Sequence, residues 1–138
     1  MLKRILSLIG LMALMVLMTG LLSAAAPVPV TTFTLVQGLP SVMNVGETYN
    51  VIVRVDSDQP FMFAQALPSE FFPGRGVVAG QGDHAGQGTS ATLVIPFYAK
   101  TSTAGFPGGT VPVSVTAGAR YAGGYVAVQR FDFTVQVP

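Results

Sequence analysis

The chain has 138 residues, half of them apolar, and only 9% of them are charged, well below the roughly 25% of an average soluble domain. There is no cysteine, which excludes disulfides, thiolate metal sites, a cysteine nucleophile and a lipid-modified cysteine. Two of the seven basic residues, Lys3 and Arg4, lie at the N terminus, so five basic residues face six acidic ones in the remainder and no basic surface for nucleic acid is expected.

Residues 1–25 are predicted to be an export signal. Lys3 and Arg4 form a short positive segment, and the apolar run from Ile5 to Leu22 follows it. Small residues then suit a signal peptidase, and cleavage after Ala25 places Ser23 and Ala25 at the two small-residue positions. The body of the chain, residues 26–138, is therefore expected to be secreted or to reside in the cell envelope.

A retained membrane anchor is the alternative interpretation of the same segment. The apolar run is at the lower limit for a membrane-spanning helix and is long for the apolar part of a signal peptide. In either case the positive charges of Lys3 and Arg4 remain on the cytoplasmic side, and the body lies outside.

The body has the alternation of apolar and polar residues that is typical of β-strands. Its Gly and Pro residues interrupt that pattern at turns. The predicted strands are Thr31–Gln37, Thr48–Asp56, Ser90–Ala99, Thr110–Arg120 and Tyr125–Val137. The side chains predicted to face the core are Phe33, Leu35, Tyr49, Val51, Val53, Val55, Ala91, Leu93, Ile95, Phe97, Val111, Val113, Val115, Ala117, Phe131, Phe133, Val135 and Val137.

Prolines and glycines predict where the pattern bends or turns. Pro96 predicts an edge strand or a bend, and Pro112 predicts an edge or a side without a ladder hydrogen bond. Turns are expected at Asn44–Glu47 and Ala122–Gly124. The stretch 60–78 predicts one or two further strands, including Phe61–Leu67, joined by a loop around residues 73–76. Seven or so short strands with one apolar face each predict an antiparallel two-sheet sandwich.

Two segments resemble bacterial immunoglobulin-like and fibronectin type III-like modules. Residues 44–55 (NVGETYNVIVRV) resemble the V-G-E-x-Y-x-V-x-V-x-V opening of such modules. Residues 107–116 (PGGTVPVSVT) and 131–137 (FDFTVQV) resemble their last two strands. The resemblance implies an all-β, immunoglobulin-like sandwich after the N-terminal hydrophobic helix, with an adhesive or scaffolding use.

A cluster of large apolar residues is the candidate interaction surface. A strand hides only every second side chain on one face, and this segment has large apolar groups at both parities, so some are expected to face outward. The cluster consists of Phe61, Met62, Phe63, Phe71 and Phe72. The alternative is that the core covers one side of the segment and the loop 68–76 the other.

Two acidic loops are weaker candidates. Asp83 and His84 lie in the glycine-rich segment 80–88, which is interpreted as a flexible surface loop rather than a metal site because it offers few oxygen ligands. Asp56 and Asp58 flank Ser57 at a strand end, where an Asx-type turn is the preferred interpretation over a calcium site. Neither pair predicts catalysis, so no metal, cofactor or catalytic residue is assigned.

Two functions remain from the sequence. The first is a non-catalytic exported module with a structural or binding role at the cell envelope. The second is a membrane-tethered accessory subunit that joins a membrane complex through a retained helix at residues 5–22. The expected partners are envelope proteins or a second copy of the chain. An enzyme is not expected.

Overall fold

The computed structural model of the chain describes residues 27–138, so the predicted signal or anchor lies outside the described residues. Eight strands form two four-stranded sheets, joined with one short 3₁₀ turn at Pro107–Gly109. The strands are β1 (Thr31–Gln37), β2 (Thr48–Phe61), β3 (Phe63–Glu70), β4 (Val77–Ala79), β5 (Asp83–Ala85), β6 (Gly88–Ala99), β7 (Val111–Arg120) and β8 (Val126–Val135).

Both sheets are antiparallel and enclose one apolar core, so the fold is β-sandwich-like and all-β. The strand order is β1-β2-β6-β4 in the first sheet and β5-β3-β7-β8 in the second. Side chains of both sheets contribute to the same core cluster. Within residues 27–138 no helix is long and apolar enough to cross a bilayer.

The period-two pattern accounts for the core. On β2, Val51, Val53 and Val55 are fully buried while Arg54 between them is exposed. On β6, the predicted inward residues Leu93, Ile95 and Phe97 are buried in the same way. Each such side chain contributes about 1.5–3 kcal/mol by leaving water, and burial on one face specifies the register of these strands.

The predicted strand at Phe61–Leu67 is wrong in its boundaries. β2 continues past Asp56 to Phe61, with a register shift between these two residues, and pairs there with Gly88 of β6. The chain bends at Met62, and β3 begins at Phe63 in the other sheet. The crossing from one sheet to the other therefore occurs inside the segment that reads as one strand.

The two strand prolines do not mark edge strands, because β6 and β7 are both inner strands. The N and C=O of one residue point to the same side of a strand. The Pro96 carbonyl accepts from Gly80 N at 2.8 Å, so the ring nitrogen faces the β4 side, just past the last β4 residue, Ala79. Pro112 lies one residue beyond the last β3–β7 pair, Glu70 with Val113. Neither ring interrupts a ladder.

The predicted turn at Asn44–Glu47 is confirmed, and its residues explain the motif in the sequence. Gly46 has a φ of 92°, and Glu47 N donates to Asn44 O at 3.0 Å. The Glu47 carboxylate in turn accepts from Asn44 N at 3.1 Å and from Tyr49 Oη at 3.0 Å. These hydrogen bonds lower the pKa of Glu47, and the one from the Asn44 backbone has the largest effect. The charged form of Glu47 is therefore the one that stabilises the turn.

Thr103 is a buried polar side chain that ties the C terminus to the loop before β7. Its hydroxyl accepts from Val137 N at 2.8 Å and donates to Gly109 O at 2.7 Å. A buried polar group left without its partner costs about 1–3 kcal/mol.

We expect Thr103→Val to lower the free energy of unfolding by about 2 kcal/mol, because it leaves two backbone groups without a partner. Thr103→Ser keeps the hydroxyl and is the matched control, expected to lose less. Urea denaturation of the two variants measures the difference. Equal stability of the valine and serine variants would show that the hydroxyl contributes nothing.

Candidate functional site

An open groove lies on the outer face of the second sheet. The outward residues of β3, β7 and β8 are in register there, with Gln65 opposite Gly118 and Gly118 opposite Val128. Gly118 has no side chain, so it leaves a depression in the middle of the outer face. The resulting groove has a volume of about 320 Å³. The inward residues of β7 on either side of Gly118, Ala117 and Ala119, are core residues, so the core lies directly beneath the floor of the groove.

The walls of the groove are mostly apolar and are accessible. Phe63 and Leu67 of β3, with the polar Gln65 between them, form one wall, and Val126 and Val128 of β8 form the other. Between 36% and 61% of each of the four apolar residues is exposed. Scattered apolar residues on a surface are ordinary, but a contiguous apolar patch around a depression is typical of a binding surface.

The segment 80–88 supports one side of the groove and is not only a surface loop. It contains β5, which pairs with β3. The Asp83 carboxylate accepts from His84 N and from Val94 N, both at 2.9 Å, and so joins β5 to β6 of the other sheet. The His84 ring stacks on Phe63 with 5.7 Å between ring centroids. Asp83 and His84 therefore position the wall of the groove.

Arg120 provides the charge at the groove. It lies on β7 beside Phe63 and Val126, its neighbours in the register, and is exposed. The ion pairs among residues 27–138 are Arg54–Asp56 and Arg130–Asp132, so neither uses Arg120. The groove thus combines an apolar depression with one cation at its rim.

The predicted interaction cluster is divided by the fold. Phe61 is fully buried and belongs to the core, which removes it from any surface. Phe63 lines the groove, and Met62 beside it is 57% exposed. Two residues apart in sequence, Phe61 and Phe63 have opposite environments because the chain changes sheets between them.

Phe71 and Phe72 follow the other end of β3. They lie about 25 Å from Phe63, because each residue of a strand advances the chain by about 3.3 Å. Phe72 packs on the core and against Phe106 at 4.6 Å between centroids, and Arg75 stacks over Phe106 at 5.1 Å. Phe71 is 69% exposed. The five predicted residues therefore form one core position and two separate patches rather than one surface.

Sequence reasoning missed the β8 wall and the glycine floor. Val126 and Val128 have the same parity as Arg130 and Asp132, so their position in the alternation already indicated an outward direction. Gly118 shows no comparable signal, since its role depends on the strands on both sides of it.

Asp56 and Asp58 have protein partners in the structure. Asp56 pairs with Arg54 at 3.0 Å and accepts from Ser90 Oγ at 3.0 Å. Asp58 accepts from Val30 N at 2.8 Å and so holds the start of β1. Among residues 27–138 no three or more His, Cys, Asp or Glu residues lie together in a metal-binding arrangement.

A scan against models of known protein families finds no match to this chain, and a search of curated proteins finds none either.

Proposed function

We propose that this chain is a non-catalytic, exported, immunoglobulin-like module with a structural or binding role at the cell envelope, and that the groove on the second sheet is its binding surface. The observation that carries the proposal is the groove itself: an accessible, mostly apolar depression on a sheet whose other face lies in the core, with Arg120 at its rim. Asp83 and His84 are of residue types that often act in catalysis. Here the Asp83 carboxylate accepts a hydrogen bond from Val94 N, and the His84 ring stacks on Phe63.

The strand order supports the immunoglobulin-like part of the proposal. Constant-type immunoglobulin domains have strands A, B, E and D in one sheet and C, F and G in the other. Here β1, β2, β6 and β4 take the first set of places, and β3, β7 and β8 take the second. The added edge strand β5 lies beside β3 and follows β4 in the chain.

The chemistry of the groove indicates its ligand class. Apolar walls suit an apolar segment of a protein partner, and the Arg120 guanidinium suits a carboxylate at one end of that segment. The ligand we propose is therefore an apolar protein segment that carries an acidic group.

We expect Gly118→Ile to block the groove without damage to the fold. A Cβ at Gly118 meets its nearest neighbours, Ala127 O and Val128 Cγ2, at 3.5 Å and 3.9 Å, ordinary contact distances, and β-branched residues suit strands. The probe is anilinonaphthalene sulfonate, an apolar anion that binds exposed apolar surface. Its fluorescence titration should show at least about tenfold weaker binding for Gly118→Ile, equivalent to a loss of about 1.4 kcal/mol.

Thr92→Ile is the matched control, because it adds the same side chain to the outer face of the first sheet, opposite Arg54. It should bind the probe as the unaltered protein does. Arg120→Gln should weaken binding by removing the cation alone. Unchanged binding by Gly118→Ile, with its melting temperature preserved, would refute the groove as the site.

A membrane-tethered accessory subunit is the second candidate. Residue 27 lies at the end of the sandwich that carries the β7–β8 turn, beside Tyr121 and Tyr125. Val28 is 63% exposed and Tyr125 43% exposed at that end, and apolar and aromatic residues suit the surface of a membrane. A retained anchor would place this end of the domain next to the bilayer.

The intact mass of the protein purified from expressing cells, together with its cellular fraction, separates the two candidates. Loss of residues 1–25 and recovery in a soluble extracytoplasmic fraction support the exported module. Full mass in the membrane fraction supports the tethered subunit, and full mass in a soluble cytoplasmic fraction contradicts both.

A further inference from the structure

The four edge strands of the two sheets are not equally protected. An edge strand has unpaired backbone groups that can pair with another chain, and proteins usually shorten, bend or charge such edges. β4 and β5 have three residues each, and β1 has a register shift between Leu35 and Gln37. β8 has ten residues in continuous register with β7 and contains no proline or lysine, and its two charged residues, Arg130 and Asp132, are of opposite sign. Among the described residues it is the long, regular edge.

The free backbone groups of β8 belong to its even-numbered residues. Gln136 N donates to Ser41 O at 2.8 Å, and Gln136 O accepts from Met43 N at 2.9 Å, so the groups of Gln136 point away from β7. Because this direction alternates along a strand, the N–H and C=O of Val128, Arg130, Asp132 and Thr134 also point away from β7. The segment around Val42 covers the edge only at Gln136.

Charge complementarity indicates what pairs with this edge. In an antiparallel pair of two β8 strands with a two-fold axis at Phe131, residue 130 of one copy lies opposite residue 132 of the other. Each Arg130 then faces an Asp132 of the second copy, and Val128 faces Thr134. These are the residues with free backbone groups, so the register that pairs opposite charges also pairs the hydrogen-bonding groups.

The neighbouring surfaces are compatible with this arrangement. β1 lies beside β8 at the same side of the sandwich and contains no charged residue, so it brings no charge repulsion to this edge. Phe131 and Phe133 are only partly buried in one copy. A second strand along the edge would remove more of both rings from water.

We infer that a second copy of this chain pairs antiparallel with β8 about Phe131 and forms a continuous eight-stranded sheet. The self-pairing uses the backbone edge of β8 and does not rest on the proposed binding groove. Gly118→Ile alters the groove on β7 and leaves this edge unchanged, so the two proposals can be tested separately. The dimer is isologous, so each charge contact occurs twice.

The test is sedimentation velocity over a concentration series at low salt, with the protein as it is purified from expressing cells. Arg130→Asp and Asp132→Arg each put like charges opposite one another at two places, so self-association should weaken at least about tenfold in each variant. The Arg130→Asp copy then carries two acidic side chains at the edge and the Asp132→Arg copy two basic ones. An equimolar mixture should therefore form a heterodimer, and the double variant R130D/D132R should dimerise again.

Arg54→Asp is the matched control, since Arg54 and Asp56 form a similar exposed pair at 3.0 Å on the inner strand β2. It should not change self-association, and melting temperatures verify that every variant folds. The inference is overturned if the unaltered chain stays monomeric across the series, if the single variants dimerise as it does, or if neither the mixture nor the double variant restores the dimer.

Discussion

Val53→Asp is expected to unfold the protein or to lower its free energy of unfolding by at least about 4 kcal/mol. Val53 is fully buried on the inner strand β2, between Leu35 of β1 and Leu93 of β6. Its surroundings are apolar, so a carboxylate there has no partner and loses its hydration. Total stability of a domain this size is only about 5–15 kcal/mol, so this one change removes a large part of it.

Arg54→Asp is the control at the adjacent position. Arg54 faces outward, and 55% of its side chain is exposed, so loss of its ion pair with Asp56 should cost no more than about 1 kcal/mol. Thermal and urea denaturation of both variants measure the contrast. Similar destabilisation by the two changes would show that the register of β2 is not the one described.

Phe61→Ala is expected to destabilise the protein by about 3–5 kcal/mol. Phe61 is fully buried at the end of β2, among the largest side chains of the core, and truncation of a buried phenylalanine loses its transfer energy and leaves a cavity. Equilibrium unfolding in urea measures this loss, provided that the slope of the unfolding free energy against urea concentration is unchanged.

Phe63→Ala is the matched control, since the same side chain is removed two residues later. Phe63 is 36% exposed and packs on His84 at the groove, so its loss should cost about 1 kcal/mol, and probe binding at the groove should fall. If Phe61→Ala and Phe63→Ala were equally destabilising, the change of sheet at Met62 would not occur as the structure has it.

Alternation in the sequence predicted the long strands because each has one face in the core. The bounds of β1 are those predicted, and the buried valines of β2 and β7 are those that the period of two assigns inward. Leu35 of β1 was also assigned to the core face, but 37% of it is exposed. The turns at Asn44–Glu47 and Ala122–Gly124 were also predicted, and Gly46, Gly123 and Gly124 have positive φ there. Local chemistry is sufficient at such places because turn type depends on a few residues.

The short strands could not be predicted in the same way. β4 and β5 have three residues each, too few for an alternation to show. Their existence depends on neighbours: β4 pairs with the end of β6, and β5 pairs with β3 while Asp83 holds it to Val94. The glycine-rich segment 80–88 therefore looked like a loop, although its middle is an edge strand.

The candidate site shows the same division. The sequence predicts that the segment from Phe61 to Phe72 has more large apolar side chains than one strand face can hide. Met62, Phe63 and Phe71 are indeed exposed. Which of them share a surface did not follow, because parity predicts a common face only while the chain stays in one sheet. The crossing at Met62 puts Phe61 in the core and Phe63 on the outer face.

The sequence by itself determined the all-β class, the long strands, their inward faces and the principal turns, because these depend on period-two burial and on local backbone preference. The tertiary structure alone decided the order of the strands, the inner places of the strands with Pro96 and Pro112, and the groove at Gly118. Those features depend on which strands lie side by side. The same holds for β8: its residues predict a strand, but only the sheet order shows that, among residues 27–138, no strand pairs along its second side.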